Sequence, residues 1–251
     1  MRAFLQALSL LTRLPVRVTW DERTPPGRMM AWYPAVGLVL GLLLALPTAV
    51  LCHGAQSAVA PLLGPALVLA LWVGLTGALH LDGWADYCDA MFVHATPEKR
   101  LQIMADPRLG SFGATGLVLL LLLKLAALQG VMQLLAQRPE WFVLLIATPV
   151  VARAIIVWVC WSFPLAKPDG MAAHFQRGLT RRDLLVALGT ALLAAACGGW
   201  RGLACLAVAV LTATLISRVA VRQIGGITGD VLGATVEAVE TSVLVACCLA
   251  G

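Results

Sequence analysis

The sequence predicts an all-α membrane protein: a polytopic bundle of six or seven transmembrane helices with an N-terminal helix at the membrane interface. The 251 residues are 60% hydrophobic and only 12% charged, whereas soluble domains carry about 25% charged residues. Mean hydropathy is +0.88. Several apolar runs are long enough to cross about 30 Å of hydrocarbon. We therefore expect one integral-membrane domain over residues 1–251.

The helices follow in chain order from the hydrophobic periodicity. Before the first span, apolar side chains occupy one helical face and polar side chains the other, which is typical of a helix lying in the membrane interface. The apolar face contains Phe4, Leu5, Leu8 and Leu11, and the polar face contains Arg2, Gln6, Ser9 and Arg13. The predicted spans are 31–52, 59–79, 113–136, 141–163, 184–199, 202–221 and, with a weaker pattern, 232–250.

Basic residues predict the orientation of the bundle. Of the 18 Lys and Arg residues, Arg138 and Arg201 lie on one side, Lys124 and Arg153 lie within spans, and all the others lie on the opposite side. Because basic loops stay in the cytoplasm, the polar segments 80–110, 164–183 and 222–240 should face it. The net charge of +5 is therefore a topology signal. No basic stripe interleaved with aromatic residues supports nucleic-acid binding.

The most informative motif is an acidic segment after the second span. His80 precedes Asp82, Asp86 and Asp89, three carboxylates that share one face of a helix. Two carboxylates about 6 Å apart repel by about 3 kcal/mol at an effective dielectric near 20, so such a cluster normally holds a cation. Oxygen ligands suit Mg²⁺ or Mn²⁺ better than zinc, and in a membrane such an ion most often serves a phosphate-bearing substrate. A solvated helix end is the alternative.

A second polar segment follows at Arg100, Asp106 and Arg108. Arginine offers a fork of donors that matches phosphate oxygens, and Asp106 could complete a cation shell. Taken alone, this segment is also compatible with an ordinary surface loop that starts a helix.

Charged residues also occur within or beside the later spans. Arg153 sits in the middle of a span, where a charge needs a partner or a cavity, so it either pairs with an acid or binds an anion. Near the end, Asp230, Glu237 and Glu240 recur close to one helical face, after a glycine-rich segment that contains Thr228. Glycines there permit close backbone approach to a phosphate or to a second helix.

Three motifs together resemble one family. The runs LHLDGWADYCDA, EKRLQIMADPRLGSFG and GGITGDVLGATVEAVE, with the opening runs FLQALSLLTRLP and WYPAVGLVLG, are similar to cobalamin synthases, the adenosylcobinamide-GDP ribazoletransferases. The resemblance covers nearly the whole chain and implies a bacterial inner-membrane catalytic domain that requires Mg²⁺. It implies transfer of α-ribazole, or its 5′-phosphate, to adenosylcobinamide-GDP with release of GMP. Ala90 departs from the glycine that often follows the last aspartate in relatives.

The resemblance and the residue chemistry together assign the site. We expect catalytic roles for His80, Asp82, Asp86 and Asp89, Mg²⁺ ligation by Asp82, Asp86, Asp89 and Asp106, and substrate binding by Arg100, Arg108, Arg153, Thr228, Asp230 and Glu237. The lipid bilayer is the expected partner. The sequence is compatible with a homo-oligomer or with an assembly with other late cobalamin-pathway enzymes. The alternatives are a CDP-alcohol phosphotransferase of lipid synthesis and a membrane transporter.

Overall fold

The computed structural model describes residues 2–18, 25–54 and 62–250. This part of the chain is almost entirely helical, which confirms the predicted fold class. Its α-helices are α1 (Arg2–Leu11), α2 (Gly27–Met30), α3 (Tyr33–Gly54), α4 (Leu63–Thr76), α5 (Leu79–Phe92), α6 (Pro97–Met104), α7 (Ser111–Gln137), α8 (Phe142–Ser162), α9 (Met171–Gln176), α10 (Arg181–Cys197), α11 (Gly199–Ile224) and α12 (Gly229–Leu249).

Five helices of the described chain, α3, α7, α8, α11 and α12, are long and apolar enough to cross a membrane. A sixth span is obtained if the bent pair α4 and α5 counts as one, which meets the lower end of the predicted range. The predicted span 184–199 corresponds to α10, which has only 17 residues and begins with Arg181, Arg182 and Asp183. Charge at one end and limited length separate this helix from the five long spans.

The predicted interfacial helix is α1, and it packs against the bundle. Leu8 and Leu11 are buried as expected, and the Phe4 ring contacts the Trp32 ring edge-on with centroids 5.8 Å apart. Gln6 is also buried, although the periodicity places it on the polar face. The rest of the protein therefore covers part of the polar face of α1 as well as its apolar face.

The second predicted span, 59–79, is interrupted instead of continuing straight into the acidic motif; its first three residues lie outside the described residues. Helix α4 has 14 residues, or about 21 Å at about 1.5 Å per residue, which is too short to cross the hydrocarbon. The chain then turns by 91° into α5. The turn is made by Gly77 (φ 62°) and Ala78 (φ 59°), both left-handed. A Cβ on Gly77 would lie 2.1 Å from Nε of Arg13, so glycine is required there.

Helices α5 and α12 cross with their backbones in contact. A Cβ on Gly83 would lie 2.9 Å from the carbonyl oxygen of Asp230 and 3.3 Å from Cα of Gly233. Glycine at both positions removes the side chains that would separate the helices. The crossing brings the acidic face of α5 to the first turn of α12.

An ion-pair network lies inside the bundle and joins α7, α8 and α12. Lys124 Nζ lies 2.9 Å from Glu237 Oε2 and 2.6 Å from Glu240 Oε2, and it stands 4.4 Å from the ring centre of Trp72 on α4. Arg153 pairs with the other oxygen of Glu240, and neither side chain has exposed surface. Two cations and two carboxylates balance, which offsets part of the cost of burying them.

This network gives a structural role to two residues that were expected to bind substrate. Arg153 and Glu237 are buried, and each is paired with a residue of opposite charge on a neighbouring helix. Of the two alternatives for Arg153, the structure therefore favours pairing with an acid. Because neither side chain lines a cavity described below, we assign both to the network.

Breaking the network at one side should destabilise the bundle. We expect Arg153→Met and Glu240→Gln each to lower the free energy of unfolding by about 3–5 kcal/mol, because each leaves an uncompensated buried charge. The double variant keeps the network neutral through Lys124 and Glu237, so its loss should be well below the sum. Unfolding of the purified protein in detergent measures all three. Arg138→Met, at an exposed position, is the control, and additive losses would contradict the proposed coupling.

Candidate active site

The acidic residues of α5 begin directly after the break at Gly77 and Ala78. Asp82 is exposed, Asp86 is half-buried, and Asp86 interacts electrostatically with Asp230 on α12 as well as with Asp82 and Asp89. In residues 2–18, 25–54 and 62–250, no cationic side chain forms an ion pair with Asp82 or Asp86. The α5–α12 crossing thus gathers uncompensated negative charge.

Two polar segments that are distant in sequence meet at the start of α12. Ile227 accepts a hydrogen bond from the amide of Ala166 (3.0 Å) and donates one to the carbonyl of Pro164 (2.8 Å). Thr228 caps α12 by accepting from the amide of Val231 (3.2 Å), and its hydroxyl donates to Asp230 Oδ2 (3.2 Å). This pairing brings Lys167 close enough to act electrostatically on Asp230.

Two cavities adjoin the carboxylates. The first, which we call the apolar cavity, has a volume of about 170 Å³ and is lined by His80, Asp82 and Asp230 among mostly apolar side chains. The second, the lysine cavity, has about 220 Å³ and is lined by Lys167, Asp169, Thr228 and Asp230. Both share Met171, Gly229 and Asp230. Predicted residues His80, Asp82, Thr228 and Asp230 therefore do lie together.

Asp89 lies on the same helix but performs a different task. Its two carboxylate oxygens accept hydrogen bonds from the amides of Gly110 and Gly113, both at 2.8 Å. These amides belong to the first turn of α7, where an anion is favoured by the helix dipole and the unsatisfied N–H groups. The oxygens of Asp89 thus anchor α7 to α5, and its expected role as a ligand or base stays a prediction.

The second motif is also mainly structural. Arg100 donates to the carbonyls of Ala90, Met91 (2.9 Å) and Ala95 (3.1 Å), so it closes the end of α5, and its expected contact with a diphosphate stays a prediction. Arg108 and Asp106 form a pair in the loop before α7, at 2.6 Å, with the Arg108 side chain 86% exposed. Hydrogen bonds from Arg108 lower the pKa of Asp106 from 3.8 to about 2. Asp106 and Arg108 do not line the apolar cavity or the lysine cavity.

The positions of the His, Cys, Asp and Glu side chains limit which kind of metal site the protein can form. Across the described residues, no three His, Cys, Asp or Glu side chains converge in an arrangement that could hold a metal ion. A closed cage of protein ligands is therefore not formed there. Mg²⁺ is commonly held in an open pattern, in which one or two carboxylates are completed by water and substrate phosphate oxygens, so a site among Asp82, Asp86 and Asp230 would have to be of that kind.

Four polar or aromatic cavity residues were not singled out from the sequence: Tyr33, Lys167, Asp169 and Phe175. Lys167 and Phe175 lie in the polar segment 164–183, which the sequence marks as cytoplasmic without singling out either side chain. Tyr33 belongs to the opening run WYPAVGLVLG and is 1% exposed. The fold brings these residues to the carboxylates: Tyr33 from α3 and Phe175 from α9 line the apolar cavity, and the hydrogen bonds between Ile227 and the segment 164–166 hold Lys167 at the lysine cavity.

Comparison with known proteins decides the family. The model of the cobalamin-5-phosphate synthase family matches residues 3–248. The chain belongs to this family. The Adenosylcobinamide-GDP ribazoletransferase of Stutzerimonas stutzeri is 42% identical over 98% of this chain and 97% of its own length. Proteins of the same name from Pseudomonas putida and Novosphingobium aromaticivorans are 40% and 39% identical, over 100% of this chain and 100% and 98% of their own lengths. No solved structure matches the chain.

In this member of the family, Asp89 and Asp82 should differ sharply in their effects on stability. Asp89→Ala removes both acceptors at the start of α7, so we expect unfolding to become easier by about 3 kcal/mol. Asp89→Asn retains one acceptor oxygen and should lose less. Asp82→Asn, at an exposed carboxylate without an ion-pair partner, should change stability by less than about 0.5 kcal/mol. Thermal unfolding in detergent separates them, and an Asp89→Ala protein as stable as the unmodified one would refute the anchoring role.

Proposed function

We propose that this chain is an adenosylcobinamide-GDP ribazoletransferase, which joins α-ribazole or its 5′-phosphate to adenosylcobinamide-GDP and releases GMP. The product is adenosylcobalamin or its 5′-phosphate. The observation that carries the proposal is a group of three carboxylates without an ion-pair partner among the described residues: Asp82 lines the apolar cavity, Asp230 lines both cavities, and Asp86 interacts electrostatically with both of them. Family membership along nearly the whole chain supports it.

The reaction exchanges one phosphorus–oxygen bond for another. A ribose hydroxyl oxygen attacks the corrinoid-side phosphorus of the diphosphate, and the bond from that phosphorus to the bridging oxygen breaks. GMP leaves with the bridging oxygen, and the hydroxyl proton passes to a base. Asp82 and His80 line the apolar cavity and are the candidate acceptors of that proton. Because both cavities contact Asp230, we propose that the exchange takes place beside that residue.

Magnesium is part of the proposal. One or two of the carboxylates Asp82, Asp86 and Asp230 would hold the ion, with phosphate oxygens and water completing its coordination. When bound, it would neutralise charge that builds on the phosphates and on the leaving group. Without substrate and ion, the negative charges of Asp82, Asp86 and Asp230 repel one another.

The location of the site supports a cytoplasmic active face in a bacterial inner membrane. The cavities lie at the end of the bundle where α3, α7, α10 and α12 begin and where α8 and α11 end. Most arginines and lysines flank the same helix ends, as expected for loops that remain in the cytoplasm. Nucleotide-activated substrates are available on that side.

Turnover by the purified protein tests the function. Incubation in lipid nanodiscs with adenosylcobinamide-GDP, α-ribazole and Mg²⁺ should release GMP in proportion to the corrinoid product, as measured by chromatography. A chelator should stop the reaction and added Mg²⁺ should restore it. Substrate accumulation in sealed vesicles without GMP release would instead favour a transporter.

Removal of single carboxylates tests the site. Asp82→Asn and Asp86→Asn should lower kcat by about 100-fold or more, because each removes a ligand charge or a proton acceptor. Glu140→Gln makes an equivalent change at the opposite end of the bundle and should leave kcat unchanged. Near-normal turnover by Asp82→Asn would overturn the assignment.

A further inference from the structure

The apolar cavity has the features of a nucleoside site. Its walls come from Leu11 on α1, Ile156 on α8, Phe175 on α9 and Leu232 on α12. Such walls match a flat aromatic base, while the few polar groups fix its orientation. The Tyr33 and Phe175 rings meet edge to face, with centroids 6.3 Å apart and planes at 80°, so two aromatic side chains hold each other at the cavity.

Two residues that line this cavity, Tyr33 and His80, each have a buried polar atom without a partner among the described residues. Tyr33 is 1% exposed and His80 is 4% exposed, and within the described chain neither Tyr33 Oη nor His80 Nδ1 has a hydrogen-bond partner. Buried polar groups are normally paired, because an unmade hydrogen bond costs free energy. The ring nitrogen of a base and the hydroxyls of a ribose offer the missing partners.

The lysine cavity has the opposite character. Lys167 provides an ammonium group, and the start of α12 at Thr228 and Gly229 provides backbone amides at a helix N-terminus. Both kinds of group bind phosphate. Asp169 lines the same cavity, and its carboxylate can accept hydrogen bonds from the adjacent N–H groups of a guanine edge.

We propose that the two cavities are separate subsites that meet at Asp230. The apolar cavity binds the acceptor nucleoside through Tyr33 and His80, and the lysine cavity binds the phosphate and nucleoside of the departing GMP through Lys167. This division deepens the proposed function and depends on it. It makes Tyr33 and Lys167 specificity-determining residues, each for a different substrate.

Steady-state kinetics with both substrates varied tests the division. Tyr33→Phe should raise KM for α-ribazole several-fold, because one hydrogen bond is lost, and leave inhibition by GMP unchanged. Lys167→Met should raise KM for adenosylcobinamide-GDP and the inhibition constant of GMP about tenfold or more, and leave KM for α-ribazole unchanged. Lys99→Met, an identical change at an exposed position on α6, is the matched control and should alter none of these constants.

Equilibrium dialysis of GMP against each protein provides a readout independent of turnover. Weaker GMP binding by Lys167→Met but not by Tyr33→Phe supports the division. If both substitutions affect the same substrate, or if neither affects its assigned substrate, two separate subsites are ruled out. If the unmodified protein binds lipid normally but releases no GMP, the proposed function itself is wrong. Failure of the proposed function can therefore be told apart from failure of the two-subsite division.

Discussion

The arrangement of the site depends on the close crossing of α5 and α12 at Gly83 and Gly233. Because neither residue has a side chain, the two backbones touch, and Asp82 and Asp86 come beside Asp230. Any larger residue at Gly83 would push against the carbonyl of Asp230. The crossing concentrates like charges that repel, and such an arrangement is stable only where water, a cation or a charged ligand reaches it. The two cavities provide that access.

Helix α12 carries two sets of acids with opposite roles. Asp230, in its first turn, faces the cavities, whereas Glu237 and Glu240 lie two to three turns deeper and are neutralised by Lys124 and Arg153. The deeper set fixes α12 against α7 and α8. That fixation determines where Asp230 stands relative to α5. A helix whose interior charges are compensated can therefore present an uncompensated charge at its end.

The sequence predicts much of this arrangement, and its errors have identifiable physical causes. Apolar length predicts the spans, and carboxylate spacing predicts the face of α5. The break at α4 is harder to foresee because Ala78, unlike Gly77, has no intrinsic preference for a left-handed conformation. Asp89 and Arg100 look like ligand groups in sequence, but their partners are backbone amides and carbonyls, which leave no trace in residue type.

The N-terminal helix is connected to the site through the same break. Leu10 and Leu11 at the end of α1 line the apolar cavity, and the amide of Arg13 donates to the carbonyl of Leu75 at 2.7 Å. The Arg13 side chain also fills the space over Gly77. Helix α1 therefore forms part of the cavity wall and holds the turn that begins α5. Displacement of α1 would remove Leu10 and Leu11 from the cavity wall and release the contacts of Arg13 with the turn, so the position of α1 and the geometry of the site are physically coupled.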